Sequence, residues 1–264
     1  MSAQVTCSIV RNVATVTLCN TERRNAVSVQ LLRDLDGILA QLEENRDVRV
    51  VAVTGSGSAF CVGADLAAPP EHRSLRGDSV EGDTARLRAA TDVAQRLYRM
   101  PQLTVAAING ACGGAGLSLA LATDLRVAAD TAVFNTAFLG AGLSGDLGGI
   151  WFLTQLLGSA RARELFLMPG KFDARRAAEI GLVTEVSAAA DLAELTDRVT
   201  ARLASAAPVA ARAMKQNLLG AQTMPLADYL GVEIDRMVRC FHTEDAREAA
   251  SAFLERREPV FAGR

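Results

Sequence analysis

The chain has little with which to cross a membrane, hold a metal or grip a nucleic acid. Across its 264 residues no apolar run approaches the roughly 20 that a spanning helix requires. Its first residues, Met-Ser-Ala-Gln-Val-Thr, lack a basic region followed by an apolar stretch, so no secretory signal is expected. The five cysteines, Cys7, Cys19, Cys61, Cys112 and Cys240, are scattered, odd in number and without metal-ligand spacing. They read as reduced core thiols of a cytoplasmic protein, with no metal site. Net charge is −2 with both signs interspersed, which excludes a nucleic-acid footprint. There are two histidines, His72 and His242, and neither lies in a catalytic motif.

What is present is apolar and glycine-rich. Half of the residues are hydrophobic, enough to bury a substantial core in one large domain or a domain with an appendage. The stretch from Asn109 to Asp124 organises the rest. An apolar run, Leu103–Ile108, enters it as a buried strand, and Gly110, Gly113, Gly114 and Gly116 follow within seven residues. Leu117–Thr123 then suits a buried helix. Glycines permit close backbone approach and positive φ, so free N–H groups there can face a ligand that carries negative charge. No Lys-Ser or Lys-Thr follows the cluster, which rules out a phosphate-binding P-loop, and the G-x-G-x-x-G spacing of dinucleotide folds is absent. Gly116-Leu-Ser118-Leu-Ala120 loosely matches a nucleophile elbow, but Ser118 falls inside the helix rather than before it. An oxyanion site remains, against the plainer reading of tight helix–sheet packing.

In chain order, Val5–Val10 and Val13–Leu18 read as a hairpin around Arg11-Asn12, and Ser28 caps a helix to about Glu44. Val48–Thr54 is a buried strand, followed by a glycine-containing loop to Leu66 and a surface loop over Ala67–Asp83. A helix from Thr84 to Tyr98 precedes the central strand. Beyond Asp124 come short strands at Leu125–Ala128 and Ala132–Phe134. A third glycine-rich loop over Gly140–Gly149 carries one carboxylate, Asp146. Helices at Ile150–Leu157 and Ala160–Leu167 are followed by a helix over Phe172–Ile180 and a strand over Leu182–Val186. From Ala190 to Glu255 the chain is almost all helix, broken near Pro208 and Pro225. The alternation predicts an α/β fold with a mainly parallel, helix-covered sheet.

Arg24-Asn-Ala26, Ala59-Phe-Cys-Val-Gly-Ala-Asp-Leu66, Ala107-Ile-Asn-Gly-Ala111, Gly113–Gly116 with Thr123-Asp-Leu-Arg126, Gly158–Leu165, Ala177–Val183 and the ending Ala252–Phe261 together resemble the crotonase superfamily, the enoyl-CoA hydratase/isomerase family. The resemblance covers nearly the whole chain. It implies a spiral of ββα units over residues 1–189 and a helical oligomerisation region over 190–264, assembled as a homotrimer or a hexamer of two trimers. It implies an acyl-CoA thioester as substrate, with no cofactor beyond that coenzyme A. The thioester oxygen would be held by the backbone N–H groups of Ala64 and Ala115. Coenzyme A would be met by Arg24, Ala26, Ala64, Asp65, Leu66 and Gly114, and by Phe253 and Arg256 reaching from a neighbouring subunit.

The departures from the family pattern concern the chemistry. The two glutamates of the hydratases would fall on Ser118 and Phe138, neither of which can act as a carboxylate base. Asp146 lies in a setting similar to the loop of relatives that shift double bonds, where a carboxylate carries a proton along the acyl chain; taken alone it could equally cap the following helix. The expected activity is therefore double-bond isomerisation with Asp146 as proton shuttle. Hydration by Asp146 with Ser118, or acyl-CoA binding without turnover, stand as alternatives. Trp151 is expected to pack the helix after the Asp146 loop or to line an acyl tunnel.

Overall fold

The computed structural model describes residues 4–65 and 79–264. Leu66, His72 and most of the expected surface loop lie outside the described residues. Ten strands are formed among the described residues: β1 (Val5–Val10), β2 (Val13–Leu18), β3 (Val50–Gly55), β4 (Ala59–Cys61), β5 (Leu103–Ile108), β6 (Ala111–Gly113), β7 (Leu125–Ala129), β8 (Val133–Asn135), β9 (Phe172–Asp173) and β10 (Glu185–Ser187). They build a six-stranded sheet of order β1-β2-β3-β5-β7-β10 and a four-stranded sheet of order β4-β6-β8-β9. The β1–β2 hairpin is antiparallel, with Arg11 at φ 54 in its turn; every other pairing of the large sheet is parallel.

Parallel strands are covered on both faces, which explains why these runs are continuously apolar. Val51, Val53, Ala106, Ile108 and Ala128 face the main core. There they meet α1 (Val29–Glu44) and α2 (Val80–Arg99). Val50, Val105, Ala107, Val127 and Ala129 face the other way, onto Leu192 and Leu195 of α6 (Leu192–Ala204). Helix α1 forms where expected because Ser28 accepts a hydrogen bond from Leu31 N–H and the leucines recur at three and four. Its Leu31, Leu35 and Leu39 are fully buried, each contributing about 1.5–3 kcal/mol of transfer free energy.

Each central strand of the large sheet turns directly into a strand of the small one and then into a helix. The repeat runs β3-β4-α2, β5-β6-α3 (Ala115–Leu121) and β7-β8-α4 (Gly149–Leu167). Two asparagines clamp the turns at the crossing. Asn25, buried, donates from Nδ2 to Ser56 O at 2.9 Å and Ala59 O at 2.8 Å. Asn109 donates to Gly57 O at 2.9 Å and accepts from Gly55 N–H at 3.2 Å. The Arg24-Asn-Ala and Ile-Asn-Gly motifs thus hold loops in place.

Several boundaries differ from expectation. The glycine-containing stretches after β3 and β5 each contain a short strand, β4 and β6, and α3 begins at Ala115 instead of Leu117. Helix α2 begins four residues early, because Ser79 caps it by accepting from Gly82 N–H. Phe172 and Asp173 pair with β8 before α5 (Ala174–Glu179), and β10 starts three residues later than expected. The two helices expected around Gly158 run as one element with a break there, at φ 78 and ψ 161. Of the five cysteines only Cys61 and Cys112 are buried core thiols; Cys7 is exposed and Cys19 and Cys240 are half-buried, because they lie on the outer hairpin and on α8 (Leu226–Phe241).

The last helices are α7 (Pro208–Ala221), α8 and α9 (Glu244–Glu255). Lys215 of α7 is tied to the sheet, donating to Asp124 Oδ2 and Gln102 O, both at 2.9 Å. Burial pulls its pKa down while Asp124 pulls it up. Helix α8 leaves Leu226, Leu230, Ile234, Met237, Val238 and Phe241 exposed.

Candidate active site

Three segments, each leading from a strand of the small sheet toward a helix, carry the expected site residues Ala64, Ala115 and Asp146. After β4 the chain passes Gly63, whose φ of +94 is one that a residue with a Cβ rarely adopts. A Cβ there would lie 2.8 Å from Gly113 O and 3.3 Å from Ala115 N, so glycine is what lets this segment touch the start of α3. Val27 bridges the same segment: its N–H donates to Gly63 O at 2.7 Å, and its carbonyl accepts from Asp65 N–H at 3.3 Å. That pattern leaves the Ala64 N–H between them with no acceptor among the described residues. Ala115 follows Gly114, the cap of α3, and its N–H likewise has no intrahelical partner. The backbone donors expected at residues 64 and 115 are therefore both unspent and on touching segments.

Asp146 belongs to the third segment. Burial pushes its carboxyl up from an ordinary 3.8 to about 6, and its Oδ1 is buried with no hydrogen-bond partner among the described residues. It lies within electrostatic reach of the buried Cys61 thiol, which itself accepts from Gly63 N–H and is held up at about 12 by burial. The capping alternative fails here. Gly148 is the cap of α4 and makes no side-chain cap bond, while Asp146 engages α4 only through its carbonyl, which accepts from Gly149 N–H at 3.0 Å.

Residues 118 and 138, where the family resemblance would place the hydratase glutamates, carry no carboxylate. Ser118 is buried in α3, with its hydroxyl 3.4 Å from Gly114 O of its own helix. Phe138 is buried, stacks on Phe166 at 6.3 Å, and reaches to 3.9 Å from where a Gly114 Cβ would stand. Burial alone is the physical source of the raised Asp146 pKa.

The expected coenzyme contacts divide into two groups. Arg24 closes the turn at Thr21–Arg23 in the left-handed conformation and is exposed. With Lys171 it borders a cavity of about 430 Å³ that is also lined by Val62, Gly113 and Asn135. Ala26 is buried next to the Val27 bridge, and Asp65 pairs with Arg23 at 3.5 Å. Phe253 and Arg256 are not brought to this group: Phe253 stands 83% exposed on α9, and Arg256 closes that helix at φ 55. His242, at the end of α8, is exposed. Trp151 packs edge-to-face on Tyr98 and Phe152 and borders a separate cavity of about 600 Å³ between α4 and α7. Among the described residues no helix is long and apolar enough to cross a membrane.

Missed from the sequence were the clamps Asn25 and Asn109, and the contact of Ser118 with Gly149. The asparagines follow Arg24 and Ile108 in stretches read as loops, and for Asn109 its place before Gly110 was the available signal.

Two sheets linked by ββα repeats define an α/β fold that carries two unspent backbone amides on touching segments and a carboxylate with one buried, partnerless oxygen. The enoyl-CoA hydratase/isomerase family model matches residues 8–264. The chain is 35% identical over 253 residues to the putative enoyl-CoA hydratase/isomerase YngF of Bacillus subtilis, covering 96% of this chain and 95% of the relative. It is 33% identical over 258 residues to the 1,2-epoxyphenylacetyl-CoA isomerase of Escherichia coli, covering 96% of each. The crystal structure of an enoyl-CoA hydratase from Bacillus anthracis superposes with a TM-score of 0.92 at 30% identity, covering 99% of this chain and 100% of that one. The chain belongs to the enoyl-CoA hydratase/isomerase family and has the crotonase fold.

Proposed function

We propose that this protein is an acyl-CoA double-bond isomerase in which Asp146 carries the proton. The observation that carries the reading is the buried, partnerless Oδ1 of Asp146 at a carboxyl pKa near 6, with no carboxylate at 118 or 138. A carboxylate titrating there is ionised at neutral pH yet basic enough to take a proton from carbon activated by a thioester. The Ala64 and Ala115 amides supply preorganised donors for the enolate oxygen, and Gly63 keeps their segments in contact.

The step balances without a cofactor. Asp146 takes the proton from C2 of a 3-enoyl thioester, and the electron pair passes into the carbonyl, leaving a dienolate whose oxygen the two amides stabilise. The Asp146 carboxylic acid then returns the same proton to C4, giving the 2-enoyl isomer. Addition of water needs a second group to position it, and Ser118 and Phe138 offer none; the name of the Escherichia coli relative supports isomerisation as well.

The remaining assignments follow. Arg24, Ala26, Ala64, Asp65, Leu66 and Gly114 would meet coenzyme A on the side of the 430 Å³ cavity. Residues 190–264 would form the oligomerisation region of a trimer or hexamer, supported by the six large apolar side chains that α8 exposes, with Phe253 and Arg256 reaching a neighbour's coenzyme. Five free cysteines fit a cytoplasmic location. Incubating the protein with 2-enoyl-, 3-enoyl- and dienoyl-CoA thioesters and following products by mass and ultraviolet spectrum tests the reading. Conversion of 3-enoyl to 2-enoyl without hydrated product is expected; a hydroxyacyl product, or binding without turnover, would overturn it.

A further inference from the structure

Asp146 stands on an awkward piece of backbone. Gly145, Leu147 and Gly148 all have positive φ, at 119, 48 and 75, and such a run persists only when surrounding contacts over-determine it. One anchor is Leu147, which is 2% exposed. The other is Gly149, whose N–H closes the turn onto the Asp146 carbonyl. Gly149 is pressed against α3. A Cβ there would lie 2.3 Å from Ser118 Oγ, 3.2 Å from Ser118 Cβ and 3.6 Å from Ser118 Cα. The start of α4 is therefore in contact with the middle of α3, and the gap between them is filled by one hydroxymethyl group.

We propose that Ser118 is a positioning residue for Asp146: its short side chain lets the start of α4 close on α3, so a long side chain at 118 and a seated Asp146 exclude each other. The size of the residue carries the effect, since its hydroxyl makes only a long contact within its own helix. The inference rests on the isomerase reading for its catalytic meaning. A glutamate at 118 would not join Asp146 as a second carboxylate. It would meet the Gly149 backbone and push out the turn that holds Asp146, so the site carries one acid or the other.

The test reads the Asp146 carboxyl directly by carbon-13 NMR titration of aspartate-labelled protein, assigned with Asp146→Asn, alongside 3-enoyl-CoA turnover. The variants are Ser118→Ala, Ser118→Glu, Gly149→Ala and the double variant Ser118→Gly/Gly149→Ala. Native protein and Ser118→Ala should show the same raised carboxyl titration. Ser118→Glu and Gly149→Ala should return it toward the ordinary aspartate range and lower kcat/KM by about a hundredfold, the scale of a small misplacement of a reacting group. The double variant should restore both, because the new Cβ then meets a Cα at 3.6 Å. If Gly149→Ala does not fold, Ser118→Glu and Ser118→Thr report the same coupling. An unmoved titration in Ser118→Glu and Gly149→Ala, or no rescue in a folded double variant, overturns the proposal. A native protein without isomerase activity whose titration still responds as expected would sink the isomerase reading and uphold the packing exclusion.

Discussion

Replacing Asp146 by asparagine should make the protein more stable at pH 8 while removing the proposed proton carrier. The folded carboxyl titrates near 6 and the free one at 3.8, because burial disfavours its charge. Between those values the folded chain keeps a proton that the unfolded chain has lost, so stability falls as pH rises through the window and stays lower above it. Two units at about 1.4 kcal/mol each set a ceiling of about 3 kcal/mol. Because the residue is half-buried, solvent screening lowers the expected effect to about 1–2 kcal/mol. For a chain of this length that corresponds to about 2–8 °C in melting temperature. The assay is a thermal melt of native protein and Asp146→Asn from pH 4 to pH 8. The gap between them should open through pH 4–6 in favour of the variant and then hold constant. Any fixed cost of placing an amide in the pocket shifts the whole difference curve and leaves its slope unchanged. A difference that does not vary with pH would refute the claim that a buried ionised carboxylate is held in this loop at a cost.

The same titration predicts that kcat/KM for 3-enoyl-CoA isomerisation rises with pH, with a midpoint near 6, and levels off above it; a profile flat from pH 5 to 8 would dissociate turnover from this carboxyl. Acyl-CoA thioesters should raise the melting temperature by mass action, with about 2.7 kcal/mol expected at a hundredfold excess over Kd, and a thermal-shift titration to millimolar ligand checks it. Light scattering at micromolar concentration should return a trimer or hexamer mass, and Leu230→Asp on the exposed apolar face of α8 should shift it toward monomer.

The alternating β-branched and leucine-periodic runs made the large sheet and its helices legible, because each is a long pattern with its own period. Residues 59–61 and 111–113 were not legible as strands. They are three residues long, too short to show a period, and become strands only by pairing with each other and with β8. The close approach of the Gly63 segment to the start of α3 was readable in outline, because Gly63 and the glycines around Ala115 mark places where backbones meet. Its supports were not. That Asn25 spends its side chain on Ser56 and Ala59, or that Ser118 presses on Gly149, depends on which distant segments the fold brings together. That residues 118 and 138 are not carboxylates was visible in the sequence, but the burial that raises the Asp146 pKa is a property of the folded chain.

The central claim is that Asp146 moves the proton, and it is tested most directly by steady-state isomerisation of 3-enoyl-CoA with native protein and Asp146→Asn, alongside calorimetric titration of acyl-CoA binding. The account predicts affinity within a few-fold and turnover lowered by about a hundredfold or more, the scale of a lost general base. An Asp146→Asn protein that isomerises 3-enoyl-CoA at the native rate would contradict it.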